Sequence, residues 1–131
     1  MPRASFLRRA LLFGALLALV AGCGDDAPRR LDRPVLRVRL DEYKITPQNV
    51  SVPAGRLQII ARNDGRLTHN LRIELPPKDP DEQTRQLGGT PTAHPGQTVR
   101  ATVTLRPGKY RITCTIANHD DLGQYGTLKV R

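Results

Sequence analysis

The sequence predicts an all-β domain, an antiparallel Greek-key β-sandwich of seven to eight short strands. Three observations carry this reading. Apolar residues recur with a period of two in successive short segments, the mark of strands with one buried face. Turn signals built from Pro, Gly, Asn and Asp separate those segments every eight to twelve residues or so, as in a sandwich. No convincing amphipathic helix and no internal repeat interrupts the pattern.

Each element follows from that alternation. Leu36, Val38 and Leu40 alternate with Arg37, Arg39 and Asp41. Tyr43 to Thr46 is a short extended piece stopped by Pro47, and Val50 and Val52 form another before the Pro53-Ala54-Gly55 turn. Leu57, Ile59 and Ala61 share a face of the next strand, which the Asn63-Asp64-Gly65 turn ends. His69, Leu71 and Ile73 then face one way, and Asn70, Arg72 and Glu74 the other. Residues 75–97 are rich in Pro, Gly, Asp and Thr and lack a sustained period. They read as a long surface excursion, with one helical turn expected near Asp81 to Leu87. Val99, Ala101, Val103 and Leu105 point inward from a strictly alternating strand. Arg106 to Lys109 turns the chain, Tyr110, Ile112 and Cys114 share the next inward face, and Leu128 and Val130 belong to the last strand. About a hundred ordered residues suffice for one core without disulfides.

The N-terminus reads differently. Arg3, Arg8 and Arg9 precede the apolar run Ala10 to Val20, too short for a membrane span and suited to a signal peptide over residues 1–22. Arg8-Arg9 also loosely resembles a twin-arginine signal. Val20-Ala21-Gly22-Cys23 resembles the bacterial lipobox, which predicts lipidation of Cys23 and an exported protein anchored at the periplasmic or extracytoplasmic face of a membrane. Residues 23–34 are charged and poor in apolar side chains, and read as a flexible tether spanning roughly 20 Å. Residues 35–131 make the folded domain. The formal charge is +9; residues 1–22 hold three of the 21 basic residues and none of the 12 acids, so the mature chain carries +6. That suits anionic lipid headgroups or an acidic protein partner. Nucleic acid is disfavoured, since the basic residues are scattered and aromatics are few.

The chemistry concentrates in Cys114 to Gln124. Cys114, His119 and Gln124 are spaced five and five. A Cys thiolate with two imidazoles in a trigonal plane and a weak axial ligand describes a blue-copper site, with Gln124 a candidate for the axial position. His69 supplies the second imidazole: it opens one strand and Cys114 ends another, both in register with inward residues. If those strands run antiparallel, the two side chains meet at one pole, under the loop that brings His119 and Gln124. Taken singly, each residue has an ordinary structural reading, a buried Cys or a solvated Gln; the combination is what points to metal. His94, in a Pro- and Gly-containing loop, is expected at the surface and outside the site.

These residues resemble the cupredoxins, the small blue-copper proteins of the plastocyanin and azurin superfamily, over roughly Val35 to Arg131. The resemblance rests on Val52-Pro53-Ala54-Gly55, on Asn63-Asp64-Gly65 leading to His69-Asn70-Leu71, on Pro107-Gly108-Lys109-Tyr110, and on Cys114, His119, Gly123, Gly126, Leu128 and Val130. Ala117-Asn118 stands where the family often has Pro-Gly, so positive φ is expected at Asn118, the next-best residue after Gly. Gln124 stands where Met is usual, as in stellacyanin. The resemblance implies His69, Cys114 and His119 as equatorial copper ligands, Gln124 as the axial one, and Asn70 tying the ligand loop to the neighbouring strand. It implies one type 1 copper ion, one-electron transfer without enzymatic turnover, and His119 as the electron port. A monomer is expected, with a redox protein or a membrane respiratory complex as partner. Copper storage or delivery, or a metal-free binding module, are the alternatives. Zinc is disfavoured by the ligand set, and a Cys-His hydrolase by the inward sulfur and the lack of an orienting third group.

Overall fold

The computed structural model describes residues 27–131; the expected signal segment and Cys23 lie outside the described residues. Among the described residues ten strands form: β1 (Arg29–Arg30), β2 (Val35–Asp41), β3 (Lys44–Thr46), β4 (Asn49–Val52), β5 (Gly55–Asn63), β6 (Arg72–Leu75), β7 (Arg85–Gly89), β8 (Thr98–Leu105), β9 (Gly108–Thr113) and β10 (Tyr125–Val130). They build two sheets, one in the order β1-β4-β10-β9-β6-β7 and the other in the order β3-β2-β5-β8. No helix forms among the described residues.

The sandwich matches the alternation, and three details depart from it. The sheets are mixed: β2 pairs with β5, and β4 with both β1 and β10, in parallel. A parallel neighbour needs a crossover of about a dozen residues; residues 42–54 supply it by passing through the opposite sheet as β4. The segment near Asp81 to Leu87 is not a helical turn. Glu82 N–H closes a turn onto Asp79 O, and β7 then pairs with β6 at the sheet edge. Its residues, Arg85-Gln86-Leu87-Gly88-Gly89, carry neither alternation nor β-branching, so nothing local marks them. Lastly, ordered β-structure begins at Arg29, ahead of Val35. Leu31 N–H donates to Ser51 O at 2.8 Å, and the Arg131 guanidinium donates to Leu31 O.

The core lies between the sheets. Leu36, Val38 and Leu40 of β2, with Leu57, Ile59 and Ala61 of β5, face Val50, Val52, Ile73, Ile112, Leu128 and Val130. Tyr110 closes the far end and donates its hydroxyl hydrogen to Arg106 O at 2.8 Å. Burying one such Leu or Ile contributes about 1.5–3 kcal/mol, so the core alone fixes which face of each strand points inward. Gly126 is required where β10 passes the 47–49 segment, because a Cβ there would strike Gln48 O.

The strand ends decide where function sits. β2 ends at Asp41, β5 at Asn63 and β9 at Thr113, while β10 starts at Tyr125. Residues 41–44, 63–71 and 113–125 therefore leave the sheets at one pole.

Candidate metal centre

His69, Cys114 and His119 are buried at that pole, and one possible ligand atom from each lies within 4.8 Å of the others. His69 does not open β6. It sits three residues before it, in an isolated antiparallel bridge: His69 N–H donates to Ala93 O at 3.1 Å, and Ala93 N–H to His69 O at 2.7 Å. Cys114 follows the last residue of β9, and its N–H donates to Gln124 O at 3.0 Å, which closes the loop. Within the loop His119 N–H donates to Ile116 O and Gln124 N–H to His119 O. The tight path forces a positive φ of 48° on Ala117. Asn118 has no positive φ, so the expectation placed there is corrected by one residue.

The ring atoms that face the sulfur are Nδ1 of His69, 4.0 Å from Sγ, and Nδ1 of His119, 3.6 Å from Sγ. Three donors on bonds of about 2.0–2.3 Å in a trigonal plane stand about 3.5–3.7 Å apart, so the observed spacings suit one metal ion. Gln124 supplies a further test. Its side chain is fully buried, Nε2 donates to Asp41 O at 2.8 Å, and Oε1 has no hydrogen-bond partner. A buried carbonyl oxygen without a partner is costly, and a fourth contact to a metal would satisfy it. Burial, with His69 alongside, pushes the pKa of His119 below the usual imidazole value. It is thus a neutral base with a lone pair to offer.

The other sequence-marked residues fall as follows. Asn70 clasps the ligand loop: its Nδ2 donates to Thr115 Oγ1 at 3.0 Å, and Thr115 N–H donates to Asn70 Oδ1 at 2.9 Å. His94 is exposed and outside the cluster; its N–H donates to Gln97 Oε1 at 3.0 Å. Cys23 lies outside the described residues.

Sequence reasoning missed the residues that steady the cluster. Glu42 Oε1 accepts from Arg66 N–H and Leu67 N–H, each at 2.8 Å, and lies 3.1 Å from His69 Nε2. The Leu67 N–H above all, with His69 and the Arg66 N–H, holds its pKa down to about 2. Tyr43 sets its ring edge-on to His119, centroids 5.1 Å apart. Three consecutive residues, Asp41, Glu42 and Tyr43, thus each steady one candidate ligand: Gln124, His69 and His119. Asn63, fully buried, donates to Leu67 O and Ala93 O and accepts from Gly65 N–H, fixing the turns on either side of His69. The only signal for Asn63 was its turn chemistry, and Glu42 carried none.

A buried Cys-His-His cluster at the pole of a mixed β-sandwich defines a cupredoxin-like domain, and the comparisons with known proteins agree. The family profile of the cupredoxin-like domain matches residues 10–125, so the chain belongs to that family. Auracyanin from Roseiflexus castenholzii superposes with a TM-score of 0.67 at 20% identity, covering 77% of this chain and 99% of that one. Auracyanin A from Chloroflexus aurantiacus, described as a "blue" copper protein, gives 0.64 at 19%, covering 78% and 99%. The iron uptake system component EfeO of Yersinia pseudotuberculosis is 28% identical over 114 residues, 87% of this chain. The chain spans only 28% of that relative's length.

Proposed function

We propose that this protein is a type 1 copper electron-transfer protein. The observation that carries the reading is the buried set of His69 Nδ1, Cys114 Sγ and His119 Nδ1, with the partnerless Oε1 of Gln124 beside it. A soft thiolate with two imidazoles favours copper over harder ions. Copper bound there would supply one-electron cycling between Cu(II) and Cu(I). The chain's own residues do the rest. A buried site limits water, and a preset ligand cluster keeps movement between states small. His119, 7% exposed, offers the edge by which electrons pass.

The test is the visible and EPR spectrum of the protein after Cu(II) is added. An intense thiolate charge-transfer band with small copper hyperfine splitting is expected. A colourless complex with ordinary Cu(II) signals, or no bound copper, would overturn the reading. Axial ligation has its own check. An amide oxygen is harder than a thioether and favours Cu(II), so Gln124→Met should raise the reduction potential. An unchanged or lower value rules that ligation out.

The Yersinia relative is named as a component of an iron uptake system; copper storage or delivery through the same residues is the second reading for this chain. Its usual exposed Met clusters are missing: Met1 is the single methionine. A copper-transfer assay against stopped-flow reduction separates the two.

Membrane tethering through a lipid on Cys23 is part of the proposal. If Cys23→Ser leaves the protein in the membrane fraction, the anchor is wrong. The redox partner is proposed to present an acidic face. An open groove of about 560 Å³ on the outer side of the β2-β5-β8 sheet is lined by Arg29, Arg37, Arg39, Arg62 and Arg100. Asp64 neutralises part of it, pairing with Arg39 and Arg62. Guanidinium forks suit carboxylates. Reversing Arg37 and Arg100 to Glu should slow electron exchange with an acidic partner and invert its salt dependence, leaving the visible spectrum unchanged.

A further inference from the structure

We infer that Glu42 is a positioning residue for this centre: its carboxylate fixes which nitrogen of His69 faces Cys114 and biases bound copper toward the oxidised state. The second half of the inference rests on the copper reading above; the first half does not.

The geometry is over-determined. One carboxylate oxygen takes three donors, the N–H groups of Arg66 and Leu67 and the ring of His69. The two backbone donors belong to the turn that leads into His69, so carboxylate and imidazole are held by one short piece of chain. Gly65 makes room for it: a Cβ there would collide with Glu42 Oε1. An ionised carboxylate only accepts hydrogen bonds. An oxygen that already accepts from two N–H groups takes its third hydrogen from Nε2, so in the neutral ring the hydrogen lies on Nε2 and Nδ1 turns a bare lone pair toward Sγ, 4.0 Å away.

Two consequences follow for a metal at Nδ1. An imidazole that donates to a carboxylate is the more basic ligand at its other nitrogen. A fixed negative charge close to the site also favours the more positive metal state, with an attraction that solvent weakens, since Glu42 keeps a quarter of its side chain exposed. A purely structural role, capping the turn at residues 65–67, predicts neither effect.

Long-range 1H–15N NMR of the metal-free protein reads the tautomer directly. At a pH where the ring is neutral, hydrogen on Nε2 of His69 is expected; hydrogen on Nδ1 with Nε2 bare overturns the inference. Voltammetry of the copper-loaded protein reads the second half. Glu42→Gln keeps an acceptor oxygen for all three donors and removes the charge. It should shift the balance about tenfold toward Cu(I), a rise of about 59 mV for one electron. Gly65→Ala displaces the carboxylate without touching Glu42 and should shift the potential the same way, which serves if Glu42→Gln fails to fold. A Cu(II)/Cu(I) balance that moves less than twofold, about 18 mV for one electron, with the thiolate band intact, overturns the bias. If the wild-type protein shows no thiolate band at all, the copper reading falls together with the bias, and the tautomer still stands or falls by NMR.

Discussion

The two walls of the metal centre are built on different principles. The Cys114–Gln124 wall is local: three of the four candidate ligands sit within eleven residues, and the loop's own hydrogen bonds, from Cys114 N–H to Gln124 O and from Gln124 N–H to His119 O, set their spacing. The His69 wall is assembled from afar. Glu42 stands 27 residues away, Ala93 is the backbone bridge, and Asn63 joins the two turns between them. A local wall keeps its shape through changes elsewhere in the sheets, whereas a distant one depends on several elements docking together. Changes in the first should therefore alter the metal without unfolding the domain, and changes in the second should cost stability.

The largest effect expected is in the local wall. Cys114→Ser removes the thiolate and keeps the side chain's shape. The charge-transfer band should vanish, while copper-free stability should change by less than about 1.5 kcal/mol. A variant that unfolds instead would break the distinction between the walls. Next comes Asn63→Ala in the distant wall. It strips three hydrogen bonds, two of them buried, takes the side-chain donor from Leu67 O, and leaves Ala93 O with the His69 N–H alone. A loss of about 2–4 kcal/mol in urea denaturation is expected even without copper. A loss below about 1 kcal/mol would show that His69 is held by the strand bridge alone.

The same contrast explains what was legible in the sequence. Spacing exposed the local wall, because Cys114, His119 and Gln124 are neighbours in the chain and the inward register of Cys114 follows from Tyr110 and Ile112. His69 was legible through its alternation with Leu71 and Ile73. Glu42 and Tyr43 were not. An acid and an aromatic at the end of a strand have many ordinary uses, and their partners are fixed only once residues 42–54 cross between the sheets. The sandwich itself was legible from the period of two. Its parallel pairs were not, because alternation reports which face is buried and says nothing of which strand lies alongside. β7 escaped because an edge strand with two glycines buries too little to show a pattern.

Asn70 stitches the walls together, and its effect should be smaller. It lies on the His69 side and exchanges two hydrogen bonds with Thr115 on the loop side, in partly exposed surroundings. Asn70→Ala should cost about 1 kcal/mol and broaden the EPR features of the copper-loaded protein as the loop gains freedom. A cost like that of Asn63→Ala would mean the loop is not self-supporting, and the two walls would be one structure.

The smallest effect tests the local wall at its strained point. Ala117 adopts φ 48° in an exposed stretch, where a Cβ costs about 1–2 kcal/mol. Gly removes that clash and loosens the unfolded chain by about 0.4–1 kcal/mol. Ala117→Gly should therefore gain about 0.5 kcal/mol in copper-free denaturation, with the visible spectrum unchanged. The control is its neighbour. The family pattern places Gly at the position of Asn118, yet φ there is not positive, so Asn118→Gly should lose a few tenths of a kcal/mol for added unfolded-state freedom. A gain at 118 and none at 117 would mean the loop takes the family's usual path, with the strain at Asn118.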